Sequence, residues 1–284
     1  MALSNKKYVT LMFNLNLIFG LKCQKKCDTM VKKKKSTHSG GKQIVRMSMK
    51  KVIGVVPASF IGDPEKSCMA DYYKLGNNYV KRVTEAGCIP FGLAPVDNYI
   101  AEEALDLCDG FLVQGGSEFY PYHFQVIHYA VTKGKKYLGI CLGEQLIYVY
   151  FKLLEILKAE GYEGDIVAGI VDYLAKQPEG FTLQKRIEGH RMESPKRGQE
   201  DTAKHDVNIV PGTLLHRVLG RDTMRLCSFH YMNTPAEQAL VTVNAWSALG
   251  DGVVEGTEYS DYILGVQGHP EADDLLPEIF KFLA

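Results

Sequence analysis

From Met49 onward the chain alternates two textures. Short apolar runs of four to six residues are separated by longer stretches in which apolar positions recur three or four apart. Lys51-Val-Ile-Gly-Val-Val-Pro57 reads as a buried parallel strand, a short apolar run ending in Pro, and Cys88-Ile-Pro-Phe91, Asp109-Gly-Phe-Leu-Val-Gln114 and Lys136-Tyr-Leu-Gly-Ile140 read as further strands. Tyr72, Leu75, Tyr79, Val80, Val83 and Ala86 mark one face of a helix over 70–86, stopped by Gly87. Further helices are predicted over 98–107, 121–133 and 142–157, and a closing one near 273–283. Strand-like runs return at 206–210, 224–229, 239–245, 252–255 and 262–267. Strand and helix alternating at this spacing imply a parallel sheet covered on both faces. Between 158 and 205 the periodicity fades among Gly161, Gly164, Gly169 and Pro178. That length is expected of an insertion, lid or binding loop.

Composition divides the chain. The first fifty residues hold eleven lysines and Arg46 against Asp28 alone, so they carry +11, and the remaining 234 residues carry −11. Residues 1–50 read as a basic, disordered extension and residues 51–284 as one catalytic-size α/β domain. An acidic body is not the surface of a general nucleic-acid binder. Residues 8–21 resemble the apolar part of a secretory signal, but Asn14 and Asn16 interrupt them and no small-residue cleavage site follows. A cytoplasmic protein is expected, with a signal anchor as the competing reading. Seven cysteines without paired spacing fit a reducing compartment. Cys23 and Cys27 lack the second pair that a zinc finger needs, so no metal is expected there.

The chemistry centres on Gly139-Ile-Cys141-Leu-Gly143, where an apolar strand stops and a helix starts. Small residues two before and two after a nucleophile are what a sharp strand-to-helix turn requires. Such a turn lifts the sulfur of Cys141 to the carboxyl edge of the sheet and sets it at a helix N-terminus, which favours the thiolate. The Leu142 N–H then faces a developing oxyanion. Cys88, Cys108 and Cys227 read instead as buried structural thiols. Gly265-Val-Gln-Gly-His269-Pro-Glu271 ends the last apolar strand and supplies a base, His269, with Glu271 positioned to hold its tautomer.

These motifs resemble the class I glutamine amidotransferase-like hydrolases: the GICLG elbow, the later GVQGHPE and the earlier VQGGS stand in that family's order. Within it the chain is most similar to the gamma-glutamyl hydrolase branch typified by gamma-glutamyl-gamma-aminobutyrate hydrolases, the peptidase C26 type. That closer likeness rests on VIGVVP, GGSEFYP, HDVNIVPGTLL, SFHYMNTP and AWSALGDGVVEG. The resemblance implies a flavodoxin-like three-layer sandwich with a mostly parallel sheet and helices on both faces. It implies a Cys141-His269-Glu271 triad, an oxyanion shared between Leu142 N–H and the Gly115-Gly116 turn, and substrate contacts from Gln145, Ser228 and His230. Gln145 has a plainer reading as a residue solvating the first helical turn, and His230 as a satisfied loop histidine.

The activity implied is hydrolysis of a small gamma-glutamyl amide through a thioester. It needs no cofactor, no metal, no nucleic acid and no membrane for the catalytic domain, and it leaves room for a homodimer. A glutaminase subunit feeding ammonia to a separate synthetase, and a non-catalytic binding protein on the same fold, are the alternatives. The sequence departs from the branch after Gln145, within SFHYM, and at Gly268, where an aromatic residue is usual. The leaving amine is therefore open. His190, Arg186, Arg191 and Arg197 in the 158–205 stretch are read either as a cap on the pocket or as solvated loop cations.

Overall fold

The computed structural model describes residues 49–58, 60–61, 72–177, 185–191, 200–237, 239–272 and 276–284. The run 8–21, the Cys23/Cys27 pair, the basic extension and Arg197 lie outside the described residues. Residues from Met49 to Ala284 form one compact unit.

Nine strands make the central sheet. In chain order they are β1 (Val52–Val56), β2 (Ile89–Gly92), β3 (Gly110–Val113), β4 (Lys136–Ile140), β5 (Lys204–Ile209), β6 (Thr223–Cys227), β7 (Thr242–Ser247), β8 (Val254–Tyr259) and β9 (Ile263–Val266). Their order across the sheet is β2-β1-β3-β4-β9-β8-β7-β5-β6. The first five are mutually parallel, as the strand-helix alternation predicts. From β9 outward, β8, β7, β5 and β6 pair antiparallel. That half needs no crossover helices, because antiparallel neighbours can return directly; β7, β8 and β9 follow one another through short loops, while α6 lies between β5 and β6.

The helices are α1 (Asn77–Glu85), α2 (Glu102–Asp106), α3 (Pro121–Lys133), α4 (Leu142–Ala159), α5 (Ile166–Ala175), α6 (Leu214–Leu219) and α7 (Pro277–Lys281). One face of the sheet is covered by α3, α4 and α5, the other by α1, α6 and α7, which gives the expected three layers. Two apolar clusters fill the spaces between the layers. One gathers Phe111, Tyr122, Phe124, Ile127, Leu146 and Tyr150; the other gathers Ile53, Leu112, Ile140, Leu215, Leu264 and Phe280.

Two expectations change. The helix over 70–86 begins only at Asn77, and Tyr72–Tyr73 pair with Phe60–Ile61 as a short ribbon. Gly76 sets that start: its N–H donates to Gln114 Oε1 at 2.6 Å, and a Cβ there would lie 3.1 Å from the same oxygen. The 158–205 stretch is also less irregular than its glycines imply, since α5 lies within it. Asp165 caps α5 by accepting from the Ala168 N–H at 2.7 Å. Gly169, inside α5, is a point of close packing, where a Cβ would meet the Tyr162 ring at 2.7 Å.

Sheet register positions the site. Val113 pairs with Gly139 and Ile140 with Val266, so β3, β4 and β9 end side by side. Whatever follows each strand meets at one carboxyl edge.

Candidate active site

Cys141 alone separates β4 from α4, and it turns the chain with φ 54° and ψ −103°. A non-glycine residue held there costs on the order of 1–3 kcal/mol. The surroundings enforce the turn: a Cβ on Gly139 would lie 2.2 Å from the Gly143 carbonyl oxygen, and one on Gly143 would lie 2.3 Å from that of Val113. The Cys141 amide donates to Val266 O at 3.0 Å, tying the elbow to β9. Its sulfur sits at the head of the eighteen-residue α4, in the wall of a cavity of about 800 Å³.

His269 follows β9 in a turn whose amide donates to Cys227 O at 2.8 Å. Pro270–Ala272 form one 3-10 turn, which brings Glu271 Oε1 to 2.7 Å from His269 Nδ1. Burial favours the neutral ring, but the Glu271 carboxylate and the Cys141 sulfur beside it outweigh burial and hold the imidazole pKa well above its ordinary value. With Nδ1 occupied by Glu271, Nε2 is left for Cys141. The three triad candidates thus line one cavity.

Tyr79, from α1, joins them without any mark in the sequence. Its hydroxyl accepts the Gly115 N–H at 3.1 Å and lies 3.5 Å from His269 Nδ1. Burial first, and then the charge of Glu271, hold the phenol pKa well above its usual value, so the group stays protonated. In the sequence Tyr79 is one apolar position on a helix face, and nothing there shows that its hydroxyl reaches another element.

This contact corrects one oxyanion assignment. The Gly115 amide is already committed to Tyr79, so of the expected oxyanion donors Gly116 and Leu142 remain, and both residues line the cavity. Gly115 acts through its small size instead, since a Cβ would lie 2.9 Å from His269 Cε1 and 3.3 Å from Cys141 Cβ.

Gln145 is held on the cavity wall. Its Nε2 donates to Met232 O and to Gln267 Oε1, each at 2.9 Å, and at 4% exposure it is no surface residue solvating a helix end. Ser228 does not reach the cavity. It is fully buried and its hydroxyl donates to His190 O at 2.7 Å, so its expected substrate contact is withdrawn. His230 borders the cavity, but its ring turns inward, with Nδ1 3.0 Å from Met232 O and Nε2 toward Glu255. It too is corrected, from substrate contact to a buried histidine whose ring points at Met232 O and Glu255. Among the described residues, the groups that could hold a metal ion are His190, His230 and Glu255.

The 158–205 stretch does reach the pocket. Lys185–Arg186 pair with Met232–Asn233, and Arg191 bridges to Phe229. The Arg191 guanidinium lies 4.1 Å from the Tyr231 ring centroid and 4.8 Å from that of Phe229, at the cavity wall.

Comparison with known proteins agrees with this arrangement. The family profile of peptidase C26 matches residues 51–128 and 177–271, more than half of the chain. The chain belongs to the peptidase C26 family. The peptidase C26 match flanks the segment that carries the elbow, which the topology returns to the edge where His269 stands. No curated protein matches the chain by sequence. Among solved structures, the glutaminase domain of Trypanosoma brucei CTPS with bound acivicin is similar at 15% identity and TM-score 0.55, over 82% of this chain and 92% of that one. A putative GMP synthase subunit from Thermoplasma acidophilum matches at 18% identity and TM-score 0.47, over 83% and 93%. A glutamine amidotransferase from Thermotoga maritima matches at 15% and 0.47, over 79% and 77%. The fold is that of the class I glutamine amidotransferases. As a peptidase C26 protein the chain is a hydrolase of C–N bonds, of the glutamine or gamma-glutamyl amide type. Among the described residues no helix is long and apolar enough to cross a membrane.

Proposed function

We propose that this peptidase C26 protein cleaves a small gamma-glutamyl amide through a thioester on Cys141. One observation carries the reading: a strained cysteine at a helix N-terminus shares a cavity with a histidine whose far nitrogen is held by a carboxylate at 2.7 Å. The sulfur attacks the side-chain carbonyl carbon, and the oxyanion forms against the Gly116 and Leu142 amides. His269, kept protonated by Glu271, gives its proton to the departing amine as the C–N bond breaks. Water enters, loses a proton to His269 and attacks the thioester. Glutamate leaves as the sulfur is released without a proton, and His269, reprotonated by the water, restores the starting pair.

Gln145 and Arg191 are the groups we assign to the glutamyl end. Gln145 is rigidly held, and Arg191 offers a cation stacked on two rings, suited to the alpha-carboxylate of a small zwitterion.

Cys141→Ala is expected to abolish turnover while the chain stays folded, and undiminished hydrolysis by that variant would sink the mechanism. A glutamine-like electrophile should add its mass to Cys141 of the unaltered chain and to no other cysteine. Comparing free glutamine with gamma-glutamyl amines, with no second protein present, separates an independent hydrolase from a protein that delivers ammonia to a synthetase. The hydrolase is expected to prefer the amines.

A further inference from the structure

Three histidines converge on one carboxylate inside the antiparallel half of the sheet. His205 lies on β5, Glu255 on β8, His230 just after β6, and His190 in the segment that returns from the 158–205 stretch. Each is at most 5% exposed. Glu255 Oε1 lies 3.1 Å from His190 Nδ1, 3.2 Å from His205 Nε2 and 3.7 Å from His230 Nε2. None of these contacts is directed as a hydrogen bond. Among the described residues the three nitrogens and both carboxylate oxygens are buried without a hydrogen-bond partner. Five unsatisfied polar atoms in one place are costly unless something between them is shared.

The outer ring nitrogens define what that shared group must be. His190 Nε2 is 2.8 Å from Asp251 Oδ2, His205 Nδ1 is 3.0 Å from Asp206 O, and His230 Nδ1 is 3.0 Å from Met232 O. Those oxygens only accept, so each outer nitrogen carries a proton, and the inner nitrogen of each neutral ring presents a lone pair. Three lone pairs beside a carboxylate repel it and one another. A second proton on His190, between Asp251 and Glu255, relieves one contact but leaves two lone pairs on the same carboxylate, and protonating all three rings places three adjacent cations there. One divalent ion at the His190, His230 and Glu255 group accepts three donors at once, and His205, against Glu255 Oε1, joins as the fourth by a small shift of its ring.

We propose that His190 Nδ1, His230 Nε2 and Glu255 Oε1, with His205 Nε2 as the fourth donor, bind a zinc-class divalent metal ion. The first three donor atoms lie within 4.8 Å of one another. Zinc–nitrogen bonds of about 2.0–2.1 Å arranged tetrahedrally give donor separations of roughly 3.3 Å, close to the spacings around Glu255 Oε1. Holding the outer nitrogen of a ligating histidine with a carboxylate or carbonyl is the usual support for such a site. The ion is structural. It ties His230 and His190 to strands β5 and β8, and their chain neighbours Phe229, Tyr231 and Arg191 line the cavity. The sulfur chemistry proceeds without touching it.

The test is metal analysis of the full chain, purified without a histidine tag, incubated with zinc and passed over a desalting column. About one zinc per chain is expected, falling to background in Glu255→Gln and His190→Gln and persisting in a Cys23→Ser/Cys27→Ser/Cys141→Ala chain. Cobalt titration of the metal-stripped wild-type chain should give visible tetrahedral d–d bands without a thiolate charge-transfer band. The wild-type measurements decide the matter even if the variants fail to fold. No retained zinc and no d–d bands, or metal that follows the cysteines instead, overturns the site. Either result leaves the thioester reading to its own test at Cys141.

Discussion

The two halves of the sheet handle polarity in opposite ways. In the parallel half, the interior positions of β1, β3 and β4 are apolar and fully buried, among them Val55, Phe111, Leu112 and Ile140. With both faces covered, a charge on such a strand would have no partner. The groups we assign to the reaction therefore sit one to three residues beyond the strand ends, at Cys141, at Gly116 and at His269. In the antiparallel half polar residues lie within the strands themselves: Asn244, Glu255, Thr257 and Glu258 are all buried. Glu258 takes the Leu214 and Leu215 amides at 2.7 and 3.1 Å, so a buried carboxylate starts helix α6. One half arranges chemistry at its edge by steric exclusion, while the other holds its connecting segments through buried polar contacts.

The largest effect should come from breaking the steric half. Gly143→Ala places a methyl group against the Val113 carbonyl, with a cost of roughly 3 kcal/mol or more and loss of activity because the elbow must open. Calorimetry and turnover together check this, and an unperturbed variant would show that the turn has slack. The next effect probes the seam between the halves. Glu144 reaches from α4 to the Thr257 hydroxyl, 2.9 Å away on β8, and burial pushes its pKa up to about 8. The folded chain then binds a proton that the unfolded chain has released, so stability is fully present below the ordinary carboxylate pKa and declines as pH rises toward 8. Glu144→Gln should remove that decline, gaining on the order of 2–3 kcal/mol at pH 8 over pH 5 relative to wild type in paired denaturant titrations. Glu258→Ala, in the polar half, should cost about 2 kcal/mol through two orphaned amides, read as a lowered denaturation midpoint. Lys81→Ala, at an exposed pair with Glu85, should change stability by less than about 0.5 kcal/mol.

The same contrast explains what is readable in the chain. Apolar strands announce themselves, so β1, β3, β4 and the elbow appear in the sequence close to their true bounds. The antiparallel strands are less legible: the run expected at 252–255 is β8, Val254–Tyr259, whose Glu255 and Glu258 look solvent-facing and are buried. Helix α5 is hidden because Gly161, Gly164 and Gly169 look like breaks, although Asp165 three residues before Ala168 is a cap signal. His269 and Glu271 are legible as a short motif after a strand. The places of Tyr79 and Arg191 are not, because each acquires its position only when another element closes over it.

The backward-turned backbone at Cys141 has a consequence for the life of the chain. The packed β3, β4 and α4 leave no room for a side chain at Gly139 or Gly143 on either side of it, and the Cys141 amide is tied to Val266 O, so the turn belongs to the closed fold. On a growing or unfolded polypeptide Cys141 is one ordinary thiol among seven. In the mechanism we propose, the chain is thus synthesised without its nucleophile, which comes into being as the sheet closes, and the fraction of that single sulfur labelled by a glutamine-like electrophile should read out how many molecules have finished folding.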